Sequence, residues 1–498
     1  MSKSHPEQGL GSLVSNRRRA CGARPGSPEL SLFDDLEAVL GAGNVLRGEA
    51  AREKVHTLYY PVGTPLAVLR PGTTDELSQA LRLCNAAGQP VVPFGGLTNL
   101  VESAHAQDMI AITLERMAQV EVIDTVNSVM TVQAGCKLQT AQEAAEAVDL
   151  FFPVDIGARG SATLGGVLST NAGGNRVLRW GMMRDNVLGL EAVLADGTVI
   201  SSLNSLLKNN AGYDLKQLFI GSEGTLGVVT RAVLRLRTRP TSQCTALVAV
   251  EDFEALPKLL EAAHRGLGGT LCAFEVMWGD TYRLATTAPA PALPILPHGH
   301  AYYALIESMG ADQEADAARF ETLLGEALEA GLVADAVLAK STAETAAIWM
   351  VREEGTAETA RRGAIFLFDV SLKIGDMEAY VRALKASLAD RFGEAADVWV
   401  FGHLGDGNLH ININIHGPAE DVRHDVEALV YEPLARVKGS ISAEHGVGLH
   451  KRDFLHVSRS AEERGLMARL KTALDPNHIL NPGKIFVIEG DGIAAPAH

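Results

Sequence analysis

The stretch Phe401-Gly-His-Leu-Gly-Asp-Gly-Asn-Leu-His-Ile-Asn412 reads as a β-hairpin. Its tetrad Gly405-Asp-Gly-Asn408 is a strong turn signal, because glycine and asparagine accept positive φ at little cost. Folding the chain at the centre of that turn sets His403 opposite His410, one on each strand. Residues two apart share a strand face, so Asn412 projects on the same side as His410. Some thirty residues on, Ser442-Ala-Glu-His-Gly446 adds Glu444 and His445 in a glycine-flanked loop. One histidine alone in a half-buried strand is more often a hydrogen-bonded core residue than a ligand. Two imidazoles converging across a turn, with a carboxylate near, describe a divalent-metal site with positions left open for a substrate. The spacing matches no closed Cys/His zinc module, so the residues alone do not name the metal.

Around this hairpin, long Ala/Glu-rich helices (252–266, 311–331, 342–361, 375–391) alternate with strands at 301–306, 364–372 and 397–402. That pattern predicts a domain in which helices cover one face of an antiparallel sheet. A Pro/Ala-rich segment at 287–298 reads as mobile surface loop. Before Pro240 the texture differs. Short β-like runs (110–114, 120–123, 129–133, 190–194, 228–237) mix with helices at 137–148 and 163–171, which predicts an α+β layout with a mixed sheet. Thr73-Thr-Asp-Glu76 is a capping box, Gly88 closes the helix that follows, and Pro90–Phe94 is a buried strand. Ser31 to Leu46 reads as a short amphipathic helix. Ala461 to Leu474 forms a last helix, ended by Asp475-Pro476.

The chain has 498 residues, 47% hydrophobic and 21% charged, enough for two or more domains with sizeable cores. A net charge of −16 argues against nucleic acid and against charge-driven docking on anionic lipid. A local arginine can still hold an anionic substrate. Five scattered cysteines without CxxC spacing read as reduced packing thiols. No apolar run reaches a membrane-spanning length, and the polar first thirty residues, with Arg17-Arg18-Arg19, read as a disordered tail.

Four glycine-rich segments mark the first half: Pro93–Leu100, Gly157–Val167, Asn171–Gly174 and Gly221–Gly227. Without side chains, backbone N–H groups converge on phosphate oxygens. Gly95-Gly96, directly after a strand, is the best pyrophosphate cradle, with hydroxyls of Thr98, Ser161 and Thr163 as further donors. Neither a Rossmann fingerprint nor a Walker A loop is present, which disfavours nicotinamide and ATP.

Arg70-Pro-Gly-Thr-Thr-Asp-Glu-Leu77, Pro93-Phe-Gly-Gly-Leu-Thr98, Thr170-Asn-Ala-Gly-Gly174, Gly189–Thr198 and Ile220–Thr230 together resemble the flavin domain of the vanillyl-alcohol-oxidase (PCMH-type) family. Gly402–His410, Ser442–Gly448 and Leu480-Asn-Pro-Gly-Lys484 are similar to its D-lactate / D-2-hydroxyglutarate dehydrogenase branch. The resemblance covers roughly residues 55 to 486. It implies an α+β fold with a PCMH-type FAD-binding domain and a cap domain whose antiparallel sheet is covered by helices. The expected division is a tail and short helix (1–54), the FAD domain (55–240), a substrate domain with the metal site (241–455), and a C-terminal helix returning to the FAD domain (456–498).

What the resemblance implies for the site is specific. FAD would be held by Gly95, Gly96, Thr98, Asn99, Ser161, Thr163, Gly166, Asn171, Gly173, Glu223, Gly224, Val228 and Asn481. The first loop supplies no His or Cys for a covalent tether, so non-covalent FAD is expected. His403, His410 and Glu444 would bind a divalent metal, usually zinc in this branch. Asn412, Arg352, Thr356 and His445 would contact the substrate, with His445 as catalytic base. The implied activity is oxidation of a D-2-hydroxy acid to the 2-oxo acid, with 2-hydroxyglutarate-like acids as substrates. Alternatives are D-lactate or an apolar D-2-hydroxy acid, a glycolate-oxidase-type flavoprotein subunit, and a metal-dependent hydrolase without flavin. One departure favours the lactate-like alternative: Leu367 stands where the hydroxyglutarate enzymes carry a lysine for the distal carboxylate, unless Lys373 or another cation substitutes. The expected location is cytoplasmic, peripheral to the inner membrane or not, and the mitochondrial matrix for a eukaryotic source. The electron acceptor (a quinone, an electron-transfer protein or oxygen) and a homodimeric assembly stay open.

Overall fold

The computed structural model describes residues 28–55, 57, 60–361, 365–416, 422–489 and 492–493; the expected tail, with Cys21, lies outside the described residues. The first half carries β1 (Val45–Leu46), β2 (Ala67–Leu69), β3 (Val91–Phe94), β4 (Ile110–Thr113), β5 (Val120–Asp124), β6 (Val129–Gln133), β7 (Leu150–Phe151), β8 (Val187–Val193), β9 (Val199–Ser202), β10 (Val228–Arg235) and β11 (Arg237–Thr238). They form a four-stranded sheet in the order β1-β2-β4-β3, a five-stranded sheet in the order β5-β6-β10-β8-β9, and a β7/β11 ribbon. The single mixed sheet expected from sequence is therefore two. Only the small one is mixed, with β2 and β3 parallel to β4; the larger is antiparallel throughout. Short, evenly spaced β runs do not tell which runs pair, and that is where the expectation failed.

Local signals explain how the chain reaches the first glycine loop. Thr73 accepts the Glu76 N–H at 3.1 Å and starts the Thr74–Ala87 helix. Gly88, at φ 62, ends it in the left-handed conformation that glycine adopts freely. β3 then lies at the sheet edge, where Pro93 removes no needed donor. Its free side is met by the C-terminal segment: Val91 donates to Ile479 and Asn481 donates to Val91, both at 2.8 Å. The Ala461–Leu474 helix leading there is capped by Ser460 and Glu463 as a reciprocal box.

The second half is one seven-stranded sheet of β12 (Ser242–Val250), β13 (Leu271–Trp278), β14 (Tyr302–Gly310), β15 (Asp335–Leu338), β16 (Ile365–Ser371), β17 (Ala396–His403) and β18 (Asn408–Ile415). The order is β15-β12-β14-β13-β17-β18-β16, with antiparallel neighbours. Alternation sorts the side chains. Val276, Ile306, Val400, Ile411 and Val370 pack under the Ala255–Gly266, Gln313–Glu329, Ile374–Phe392 and Arg423–Tyr431 helices. Each such buried aliphatic contributes about 1.5–3 kcal/mol. The opposite face is also covered, contrary to expectation: Leu247, Met277, Tyr303 and Phe401 pack on Tyr282, Ile348 and Val351 of the Gly279–Ala285 and Thr342–Arg361 helices. That second face stays polar at its other end, where it meets the FAD domain.

The 287–298 segment is packed. Ala292 and Leu296 are buried, and the Tyr282 hydroxyl accepts N–H bonds from Ile295 and Leu296 while donating to the Leu296 carbonyl. One buried tyrosine oxygen organises a loop whose composition suggested mobility. Cys84, Cys136, Cys244 and Cys272 are all buried and unpaired with one another.

Candidate active site

A cavity of about 850 Å³ runs from the Pro93–Leu100 loop to Glu444 and His445. This is toward the upper end of small-molecule sites, roughly 300–1,000 Å³. Gly95, Gly96, Thr98, Asn99, Ser161, Thr163, Gly166, Gly173, Glu223, Gly224, Val228 and Asn481 all line it. The wall depends on close backbone approach. A Cβ at Gly96 would run into the Ser161 carbonyl, so the two glycine loops touch only because that side chain is missing. Asn171 is the predicted residue that the structure turns away. At φ 51 it accepts the Arg184 N–H through Oδ1, and its neighbours Ala172 and Gly173 line the cavity instead.

Two other predicted cofactor contacts have different work for their side chains. Asn99 Oδ1 accepts the N–H groups of Val101 and Ser103, which shapes its own loop. The buried Glu223 carboxylate accepts the N–H groups of Val447 and Gly448, at 2.7 and 2.9 Å. It therefore grips the loop that carries Glu444 and His445. Asn481 donates to the carbonyls of Ser103 and Glu223, and its buried Oδ1 has no partner among the described residues. An orphaned acceptor on a glycine-walled cavity fits a bound ligand that carries donors. The lining includes no cysteine and one histidine, His445.

Facing the cavity is the polar end of the cap sheet. The hairpin turns through Leu404–Asp406, and Gly407 adopts φ 87. As a result His410 pairs with Phe401 and His403 with Asn408, a shift of the expected register. A two-residue shift preserves the face, so both imidazoles still point the same way. Their Nε2 atoms are 3.3 Å apart, and His403 Nε2 lies 3.7 Å from Glu444 Oε1. Ligand atoms of His403, His410 and Glu444 all fall within 4.8 Å of one another. Three N/O donors so spaced suit a cation held at about 2.0–2.2 Å. Burial lowers the His403 pKa, but Glu275 and Glu444 outweigh it and push the ring up to about 9. Burial, with His403 and Arg352 nearby, holds His410 well below the usual imidazole range, as a neutral ligand.

Sequence reading missed two buried carboxylates that brace these groups. Glu275 Oε1 lies 2.7 Å from His403 Nδ1, and its Oε2 accepts from Arg352 Nε at 2.8 Å. Asp369 Oδ2 accepts the N–H groups of Ala443, Glu444 and His445, at 2.9, 2.7 and 3.0 Å. Its Oδ1 pairs with buried Lys451 and lies 3.1 Å from His445 Nδ1. Burial pushes Asp369 up, but His445 and Lys451 hold its pKa well below the usual carboxylate range. The signal was a lone acid inside an apolar strand, as in Leu271-Cys-Ala-Phe-Glu-Val-Met-Trp278 and Ile365-Phe-Leu-Phe-Asp-Val-Ser371. On the FAD-domain side, Gly174 N–H donates to Glu444 Oε1 at 3.0 Å, and Arg176 bridges Asp155 to the cap residue Glu307.

Arg352, buried on the Thr342–Arg361 helix, stacks over the Phe401 ring at 4.5 Å. Thr356 is on the same helix, but its side chain lies outside the described residues. Leu367 pairs across the sheet with Asn412, on the His410 face, and shares a small cleft with Leu100 and Val101 and with the charged or polar Tyr60, Arg423, Glu427, His450 and Lys451. Lys373 is exposed at the start of the Ile374–Phe392 helix and does not take its place.

Comparison with known proteins identifies the family. Residues 65–202 match the FAD binding domain family, and residues 239–485 match the C-terminal domain of FAD-linked oxidases. A rice (Oryza sativa subsp. indica) protein named as a probable mitochondrial D-2-hydroxyglutarate dehydrogenase is 40% identical over 427 residues, covering 85% of this chain and 75% of its own. The chain belongs to the D-2-hydroxyglutarate dehydrogenase family. A bacterial member, D-2-hydroxyglutarate dehydrogenase of Xanthomonas citri pv. viticola, is also 40% identical, over 85% of this chain and 89% of its own. p-Cresol methylhydroxylase with substrate bound superposes with a TM-score of 0.72 at 14% identity, over 92% of this chain and 96% of that one. That likeness shows the PCMH-type fold. As a family member the chain is an FAD-linked oxidoreductase acting on CH–OH groups. Among the described residues, no helix is long and apolar enough to cross a membrane.

Proposed function

We propose that this chain oxidises a D-2-hydroxy acid of the 2-hydroxyglutarate class to the 2-oxo acid, with non-covalent FAD and a divalent cation, zinc by preference. The observation that carries this reading is that His403 and His410 cluster with Glu444, and that Glu444 and the adjacent His445 line one end of a glycine-walled cavity. FAD in the glycine-walled cavity would supply a hydride acceptor for C2, and a cation on His403, His410 and Glu444 would supply Lewis acidity that lowers the pKa of the substrate hydroxyl. The chain's own residues supply the rest. His403, His410 and Glu444 hold the cation. Arg352 holds a carboxylate, for which a guanidinium is the best-suited donor. Asn412, two residues along the strand from His410 and on the same face, orients the substrate with its amide. His445 takes the hydroxyl proton at Nε2, and the Asp369 carboxylate 3.1 Å from its Nδ1 stabilises the charge that the ring then gains.

One observation favours a second reading of the substrate. Leu367, opposite Asn412, offers nothing to a second carboxylate, and burying one unpaired is costly. Leu367 itself suits a D-2-hydroxy acid with a short or apolar side chain, while Arg423 in the same cleft is the cation that a distal carboxylate would need to reach. Titrating the purified flavoprotein with D and L isomers of 2-hydroxyglutarate, lactate and a branched 2-hydroxy acid, while following bleaching of the flavin band, decides between them. If no D-2-hydroxy acid bleaches the flavin, both readings fail. The rice relative is named as mitochondrial, and for this chain we propose the mitochondrial matrix if the source is eukaryotic and the cytoplasm if it is bacterial.

A further inference from the structure

We propose that Glu275 is a positioning residue that couples the cation site to the substrate-anion clamp, one carboxylate fixing both the His403 ring and the Arg352 guanidinium. The proposal rests on the reading of His403 as a ligand and Arg352 as the anion holder.

The geometry is specific. Glu275 sits mid-strand in β13, 1% exposed, with apolar neighbours on both sides. It is in register with His403 of β17, so the two side chains leave the sheet on the same face. Each carboxylate oxygen serves a different partner: Oε1 the Nδ1 of His403 at 2.7 Å, Oε2 the Nε of Arg352 at 2.8 Å. The first contact holds the proton on Nδ1 and turns the Nε2 lone pair toward His410 and Glu444, the arrangement that orients metal-bound histidines elsewhere. The second sets the guanidinium plane over Phe401. A buried Arg–Glu pair is weak support for stability by itself, since apolar replacement is often neutral. Its position between a ligand and an anion holder gives it a task. Filling either site tightens the shared carboxylate, so cation and substrate anion bind cooperatively.

Glutamine makes the test sharp. It has one acceptor oxygen and one NH2 donor, so it satisfies His403 or Arg352 and presents a donor to the other. In the FAD-loaded full chain, zinc affinity is measured by competition with a chromophoric chelator, alongside KM for the hydroxy acid. Glu275→Gln is expected to lower zinc affinity by about 10–100-fold, the usual outer-shell effect, and to raise KM as well. Arg352→Ala is expected to raise KM and also to lower zinc affinity, by less than Glu275→Gln does, because Glu275 loses the partner that fixes its second oxygen. Glu275→Asp keeps the charge but is one methylene short, and is expected to fall between wild type and Gln; it carries the test if the Gln variant fails to retain FAD. Wild-type zinc affinity in both Glu275 variants, or a loss confined to one of the two readouts, overturns the coupling. Unchanged zinc affinity in His403→Ala instead overturns the cation site itself, and the proposal with it.

Discussion

The two halves of the site are built on opposite plans. The FAD-domain half is made of missing side chains: glycines bring loops within backbone distance and leave a cavity between them. The cap half is made of charged side chains, each held by another: His403 by Glu275, and His445 with its loop by Asp369, itself paired with Lys451. A backbone cradle fails by steric intrusion, whereas a braced polar cluster fails when a charge loses its partner. Mutations in the two halves should therefore separate cofactor binding from turnover.

The largest effect is expected in the cradle. Gly96→Val drives a side chain into the Ser161 carbonyl, so the purified variant should be colourless or unfolded. A yellow, fully loaded preparation would show that the loops are not in contact. His403→Ala should leave the yellow colour and remove the cation, with turnover falling by more than the roughly 10–100-fold that outer-shell changes bring. Metal content by elemental analysis reads this directly, and a full complement of metal would contradict the ligand assignment. Asp369→Asn is expected next. It strands the buried Lys451 charge, which costs on the order of 3–5 kcal/mol of stability, visible as a lowered melting temperature. Adding Lys451→Met should restore the melting temperature but not the kcat, which stays depressed because His445 has lost its anchor. Recovery of both would make Asp369 structural only. The smallest change is Leu367→Lys, predicted to raise the kcat/KM ratio of 2-hydroxyglutarate over lactate by about tenfold, or about 1.4 kcal/mol. An unchanged ratio would place the substrate's distal end elsewhere.

The same contrast explains what could be read in the sequence. The hairpin, Glu444 and His445 were legible because histidines and acids beside glycines are rare and local. The face of His403 and His410 survived a wrong register because strand alternation has period two. Helices such as Ala461–Leu474 followed from capping and length. Glu275 was not legible, because its partners are 128 and 77 positions away and only sheet pairing joins them. Asn171, Asn99 and Glu223 sit in glycine loops whose motifs say that the backbone bends. They do not say which way each side chain turns, and these three turn to the protein. The split of the first half into two sheets was hidden for the same reason: strand runs carry no partner labels.

The loop from Ala443 to Gly448 hangs between the two domains, its N–H groups gripped by cap Asp369 at one end and by FAD-domain Glu223 at the other. Hydrogen bonds to a charged acceptor contribute roughly 1.5–3 kcal/mol each, so swinging the domains apart would break at least one whole set and cost several kcal/mol. A domain-open state is therefore several kcal/mol uphill and rarely populated, and the loop that carries Glu444 and His445 stays taut for most of the time.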